Sequence, residues 1–397
     1  MEKIWSYLMD NLFCKKTMLF YDFINTENRG KFENYLPTPE QIKRSVPNPC
    51  GWGTGMEDSM IHGGTMLEAA LTAYDIYKDK RLLDLAKKFF SGMKNCASVS
   101  ESEGFLARSI SPCDGKTHYI DSSRDQYTHW IVAAAFYYKS GYASNEEKSF
   151  IKNFFVAIAN RCRKYVNEQH SYNLCREDGG LGIVTGMWNV MAHEYMRLPM
   201  FYLAGLKIGG EESFGEDYIK YRDKAMEKSE QLDFSLYGHP FALNQMQMSL
   251  RFVYEYDEDE AFKARCEKLM LKIAQYGLSK VSGYAQTVRD SGELLYEESM
   301  SWDKLPATYN GYLSGYDYYV PLGFKSVDPR SLHSAWLLRD VGDAASLYTG
   351  LPHPTYNDEL MIALQKTLAA INLEKHTSDA PVYLLLPYYT LERLKNQ

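Results

Sequence analysis

The chain alternates two kinds of helical segment, and that alternation limits what it can fold into. Segments beginning near 57, 122, 186, 240, 330 and 381 are apolar nearly all round, whereas those beginning near 80, 145, 213, 259 and 357 are apolar on one side only. A helix apolar on every side must be enclosed by others, and a one-sided helix covers a core and meets water. The spacing predicts paired helices over 57–78 and 80–97, 122–141 and 145–168, 186–206 and 213–230, 240–256 and 259–277, and 330–349 and 357–373, with a last over 381–396. A first helix over 3–25 would be the sixth outer one and would pair with the last. Six inner and six outer helices predict an all-α fold, a closed (α/α)6 ring of hairpins, in one domain over 1–397.

The punctuation agrees. Links inside each hairpin are short, as antiparallel neighbours require. The returns, 98–121, 169–185, 231–239 and 278–329, are long, which places them on the face where the inner helices begin. Ser144 with Glu147 forms a capping-box pattern, and Pro240, Pro329 and Pro381 stand at first helical turns. Pro387 should kink or split the last helix. The longest return carries SGYAQTVRD and ATYNGYLSGYDYYVP, whose polar–aromatic alternation predicts a short β hairpin or a lid.

Three polar pairs recur at that face. Asp58 and His62, Asp125 and His129, and Asn189 and His193 are each four apart, near the start of an inner segment. Residues four apart share one helix face, so side-by-side helices of one polarity would bring the three faces together in a pocket. Glu57 adds a third carboxylate, and Arg124 stands beside Asp125. Trp52, Tyr119, Tyr127, Trp130, Trp188, Tyr237, His239, Trp302, Tyr309 and Trp336 fall on the same loops and helix starts. Arg108, Arg124, Arg176 and Arg289 could grip a carboxylate bidentately. For each there is a plainer reading: acids favoured at helix N-termini, core histidines held by hydrogen bonds, and aromatics that pack loops.

Composition removes other classes. A net charge of −7 without a basic stripe argues against a nucleic-acid partner. No run approaches a membrane span, and the start of the chain lacks a signal-peptide pattern, so a cytoplasmic protein is expected, or an exported one whose signal has been removed. Seven scattered cysteines form no CxxC, and the histidines have no tight metal-ligand spacing, so neither metal nor cofactor is expected. Thirty-two tyrosines suit a broad polar cleft. GxGxxG, Walker A and GxSxG strings are missing, against nucleotide enzymes and serine hydrolases.

With its helix count, loop asymmetry and acids at inner-helix starts, the chain resembles the six-hairpin glycosidase superfamily over essentially its whole length. The string SSRDQYTHW and the placement of Asp58 and Asp125 look most like the hydrolases of unsaturated or uronic-acid-ended oligosaccharides. GMEDSMIHGG departs from their pattern through Glu57. The resemblance implies an oligosaccharide substrate cleaved by carboxylate acid–base chemistry. Asp125 is the expected acid, with Asp58 or Glu57 as the second carboxylate; His62, Arg124, His129, Trp130, Trp188, Asn189, His193, His239, Tyr309 and Trp336 are expected to contact substrate. The same ring hosts lyases, epimerases that use paired His (here His193, His239 or His333) and terpenoid cyclases, and a non-catalytic glycan-binding protein also fits.

Overall fold

A computed structural model describes residues 1–292 and 330–397, with side chains from 336 onward in the second stretch. The chain is all-α. Its helices are α1 (Glu2–Asn11), α2 (Pro39–Lys43), α3 (Ser59–Tyr77), α4 (Lys80–Ser98), α5 (Arg124–Lys139), α6 (Asn145–Tyr165), α7 (Arg197–Lys207), α8 (Phe214–Ser229), α9 (Phe241–Tyr256), α10 (Glu260–Ser291), α11 (Arg330–Thr349), α12 (Asp358–Ala370) and α13 (Pro381–Lys395). The strands β1 (Phe13–Cys14) and β2 (Leu19–Phe20) form an antiparallel hairpin, the sole sheet among the described residues.

Burial separates the two kinds of helix. In α3 every residue from Ser59 to Ala73 is buried. In α4 only the stripe Ala86, Phe89, Phe90, Gly92, Met93, Cys96 and Ala97 is buried, at the spacing of one face. The enclosed helices form a circuit: α3 packs on α5, α5 on α7, α7 on α9, α9 on α11, α11 on α13, and α13 back on α3. Their backbones come close because glycines sit at the seams. A Cβ on Gly64 would stand 2.9 Å from the His129 carbonyl oxygen, and one on Gly342 would stand 2.4 Å from that of Tyr383. Outside, α4 covers α3, α6 and α8 cover α7, and α10 covers α9 and α11. Ser144 and Glu147 form the reciprocal cap of α6.

Three expected boundaries change. The first helix stops at Asn11, because the chain turns into the hairpin whose Phe13 and Phe20 pack on Phe89 of α4. The pairing of α1 with α13 holds: Trp5 Nε1 donates to Tyr389 Oη at 2.8 Å. The helix expected from 186 begins at Arg197, which puts Pro199 in the first turn, where its missing N–H leaves no helical bond unmade. Ahead of it Leu174 N–H bonds to Thr185 O and Met187 N–H to Tyr172 O, which ties 172–187 into a loop. α10 runs on to Ser291 because Val281, Ala285 and Val288 continue its buried stripe; of the expected hairpin, SGYAQTVRD is therefore helix, and 293–329 lie outside the described residues. Pro387 does not split α13. Among the described residues no helix is long and apolar enough to cross a membrane.

Candidate functional site

The starts of the enclosed helices carry a continuous ring of charged side chains. It begins with Asp22, just after β2, whose carboxylate accepts the N–H groups of Glu57 at 2.9 Å and Asp58 at 3.2 Å. That anchors the turn into α3. Glu57 is shut in, with Oε2 accepting the Gly53 N–H at 2.9 Å. Burial first, then Asp22 and Asp58, pushes the Glu57 carboxyl well above its ordinary range. Burial likewise pushes Asp22 up to about 7; His62 opposes, and Asp58 and Asp379 add.

His62 lies between two acids. Its Nε2 is 2.5 Å from Asp379 Oδ2 and 3.1 Å from Tyr383 Oη, and its Nδ1 is 3.4 Å from Asp22 Oδ1. Burial alone would lower its pKa, but Asp379, Asp22 and Asp58 outweigh that and raise it above the ordinary imidazole value. It joins the first and last enclosed helices and is too buried to touch a substrate.

Asp58 is the N-cap residue of α3, yet its side chain caps nothing. Oδ1 accepts from Gln126 Nε2 at 2.9 Å and lies 3.4 Å from Arg108 Nη2; Oδ2 is 3.8 Å from Arg339 Nη1 and accepts no hydrogen bond among the described residues. Ser123 caps α5, which leaves Asp125 in the first turn to meet Arg197 Nη1 at 2.5 Å. Burial would raise Asp125, but Arg197 and Arg124 override it and hold the carboxyl below its usual value. Fully buried Arg197 also donates to Gln245 of α9. On α11, Arg339 Nε donates to Asp343 Oδ2 at 3.0 Å, and its guanidinium lies over the Tyr383 ring at 4.1 Å. Asn244 Nδ2 donates to Asp343 Oδ1 at 2.8 Å, and His239 Nδ1 is 2.7 Å from Asp340 Oδ2.

Exposure then sorts the acids. Asp22, Glu57, Glu194, Asp340, Asp343 and Asp379 are all buried; the side chains of Asp58 and Asp125 keep 25% and 28% of their surface. Of the ring's described acids, these two alone reach solvent.

The third polar pair does not converge with the others. Asn189 is exposed, in a loop, with φ of 57°, and His193 lies in a single 3₁₀ turn, Ala192–Glu194. His193 Nδ1 is 2.8 Å from Tyr237 Oη, and its Nε2 is 3.4 Å from Glu194. Burial would raise Glu194, but His193 and the guanidiniums of Arg124 and Arg197 hold it at about 2. Arg124 is spent on Glu194 and on the Gly186 carbonyl at 3.1 Å. Trp130 is no substrate platform: it is fully buried against Phe154 and Phe155, with Nε1 donating to Met93 O. Trp188 packs edge-on against Tyr195 and Tyr221. Trp336 and His239 are half-buried with ring centres 5.2 Å apart. Tyr309 and Trp302 lie outside the described residues, as does the side chain of His333. His129 is buried and faces a cavity inside the circuit; burial and then Arg339 push it down to about 3, so it is neutral.

Among the described residues no cluster of His, Cys, Asp and Glu has the geometry to hold a metal ion. No protein-family model and no curated protein matches this chain.

Proposed function

We propose that the chain hydrolyses a glycosidic bond, with Asp58 and Asp125 as the working carboxylates. The observation that carries this reading is their exposure: within a ring of buried acids, two carboxylates on the first turns of neighbouring helices reach solvent, and neither caps its helix. Glycoside cleavage needs such a pair, one to protonate the leaving oxygen and one to activate water or attack the sugar. The electrostatics favour reversing the roles expected from sequence. Arg197 and Arg124 keep Asp125 ionised, which suits a base or nucleophile and not a proton donor. Asp58, the other carboxylate that reaches solvent, then takes the donor's role, with an Oδ2 that accepts no hydrogen bond among the described residues. Glu57, buried beneath it, becomes a supporting group. The closed circuit of enclosed helices is what the six-hairpin resemblance calls for. Arg339 and Trp336 flank the site, a cation and an aromatic face suited to an acidic sugar.

The test is a panel of neutral and uronic-acid oligosaccharides. Asp58→Asn and Asp125→Asn should each lower kcat by about 10²–10⁴ while leaving the helical circular dichroism intact. Azide should restore turnover to the Asp125→Asn protein and leave the Asp58→Asn protein inactive on unactivated substrates. Full activity in either variant would sink the assignment.

A second reading rests on half-exposed His239, oriented by Asp340. A His–carboxylate dyad is an acid–base device for epimerising a free sugar. Exchange of a sugar proton with deuterated water, without glycoside cleavage, would favour it.

A further inference from the structure

The two working carboxylates stand on different helices, Asp58 at the start of α3 and Asp125 in the first turn of α5. Arg197 holds Asp125. Asp58 makes no cap bond, so another group has to fix it. That group is Gln126, the residue after Asp125, whose side chain is fully buried. Its Nε2 donates to Asp58 Oδ1 at 2.9 Å and to the Glu57 carbonyl at 3.0 Å, and its Oε1 accepts the Met60 N–H at 3.2 Å. Two acceptors face the amide nitrogen and one donor faces the oxygen, which settles the amide's orientation. All three partners lie at the start of α3, so the side chain cannot turn without breaking bonds in a buried place. The Gln126 N–H is itself capped by Ser123 Oγ at 3.3 Å, which fixes the backbone that carries Gln126 and Asp125. A short strut therefore joins the pair: one peptide link, one buried side chain and one hydrogen bond.

The other groups around Asp58 are poorer holders. Arg108 Nη2 is 3.4 Å from the same Oδ1, and its shorter bond, from Nε at 2.8 Å, goes to the Glu57 carbonyl. Arg339 Nη1 is 3.8 Å from Oδ2, beyond hydrogen-bond range. Held through Oδ1, the carboxyl keeps Oδ2 open to solvent. Released, it would be drawn by the Arg339 guanidinium into a direct ion pair that occupies Oδ2. A proton donor has to lie within about 2.6–3.2 Å of the oxygen it serves, and a misplacement of about 1 Å can cost about 10²-fold.

We propose that Gln126 is a positioning residue. It holds the Asp58 carboxyl at a fixed distance from Asp125 and keeps Oδ2 out of a direct bond with Arg339, ready for the leaving oxygen. The chemical meaning of this role rests on the hydrolytic reading; the geometry rests on the hydrogen bonds alone.

Two measurements on the Gln126→Met protein test it, one of them independent of activity. The variant should fold, because Asp22 still anchors the turn into α3 through the N–H groups of Glu57 and Asp58. Crystal structures of wild type and variant should show the freed Asp58 carboxylate within about 3.2 Å of Arg339 Nη1 in the variant, with α3 and α5 in place. In turnover, the glycoside that the wild type cleaves is compared as its phenyl and dinitrophenyl derivatives. A phenolate needs a proton to leave and a dinitrophenolate does not. The variant should therefore lose at least about tenfold in kcat/KM on the phenyl glycoside and less than about twofold on the other; a structural defect lowers both alike. Should that protein not fold, Gln126→Ser takes its place, since it leaves room for water at Met60 and Glu57 and cannot reach Asp58. A wild type that cleaves no glycoside would end the hydrolytic reading, and the crystal structures would still decide what holds Asp58. An unmoved Asp58 carboxylate, equal losses on the two glycosides, or loss of the fold in both variants would each overturn the proposal.

Discussion

A carboxyl raised by burial makes stability depend on pH in a definite direction. Glu68 binds its proton more tightly folded than unfolded, at about 7 against an ordinary 4.5. Its contribution is therefore full below about pH 4.5 and is lost as pH rises through 7. The size is at most about 3.5 kcal/mol, at about 1.4 kcal/mol per pH unit of separation. Glu68→Gln removes this dependence without emptying the space. Urea unfolding at pH 5 and pH 8 should show the wild type losing stability relative to the variant as pH rises; parallel changes would mean that Arg251 compensates fully. At this scale the sequence was only partly legible. Asp58, Asp125, His62 and His239 stood out by position, because polar groups at the starts of apolar helices have few uses. Arg339, Asp340 and Asp343 carried a signal too, charges four apart on an enclosed helix, but it lay outside the three repeated pairs. Asp22 carried none: it falls in a segment that reads as helix, and only folding brings it beneath Glu57 and Asp58. Arg197 was hidden for the same reason as Pro199, inside a helix assumed to have begun eleven residues earlier.

At the scale of the element, the seam between α11 and α13 is made by two residues acting together. Pro387 has no N–H to offer the Tyr383 carbonyl four residues before it. That carbonyl faces Gly342, where a Cβ would stand 2.4 Å away, and no other residue leaves it room. Gly342→Ala must push α11 from α13 and should cost about 1–3 kcal/mol. Gly283→Ala, on the exposed face of α10 with nothing within 4 Å, should gain about 0.5–1 kcal/mol by the same change. Thermal unfolding of the two variants should move in opposite directions; a shared direction would show that the seam is loose. Helix existence and type were readable here because apolar periodicity is a local property. Ends were not, where tertiary contacts decide them: the hairpin at 13–20 exists to pack on α4, and α10 extends because α11 gives its last turns a surface.

For the whole molecule, the bond between Trp5 and Tyr389 matters beyond its strength. Trp5 also stacks on Phe89 at 6.4 Å, so α1 touches both the first outer helix and the last enclosed one. Trp5→Ala should cost roughly 2–3 kcal/mol for a half-buried indole and lower a single calorimetric transition. A new, separate low-temperature transition would show instead that the circuit melts in parts. Closure has a further consequence during synthesis. The side of α3 that faces α13 has no cover until nearly the entire chain has been made. At about 5–20 residues per second, that flank of the nascent protein stays bare for tens of seconds on the ribosome, and His62 waits equally long for Asp379. A chaperone that binds apolar helices should be found on the stalled chain ending at Lys375 and be gone from the released one.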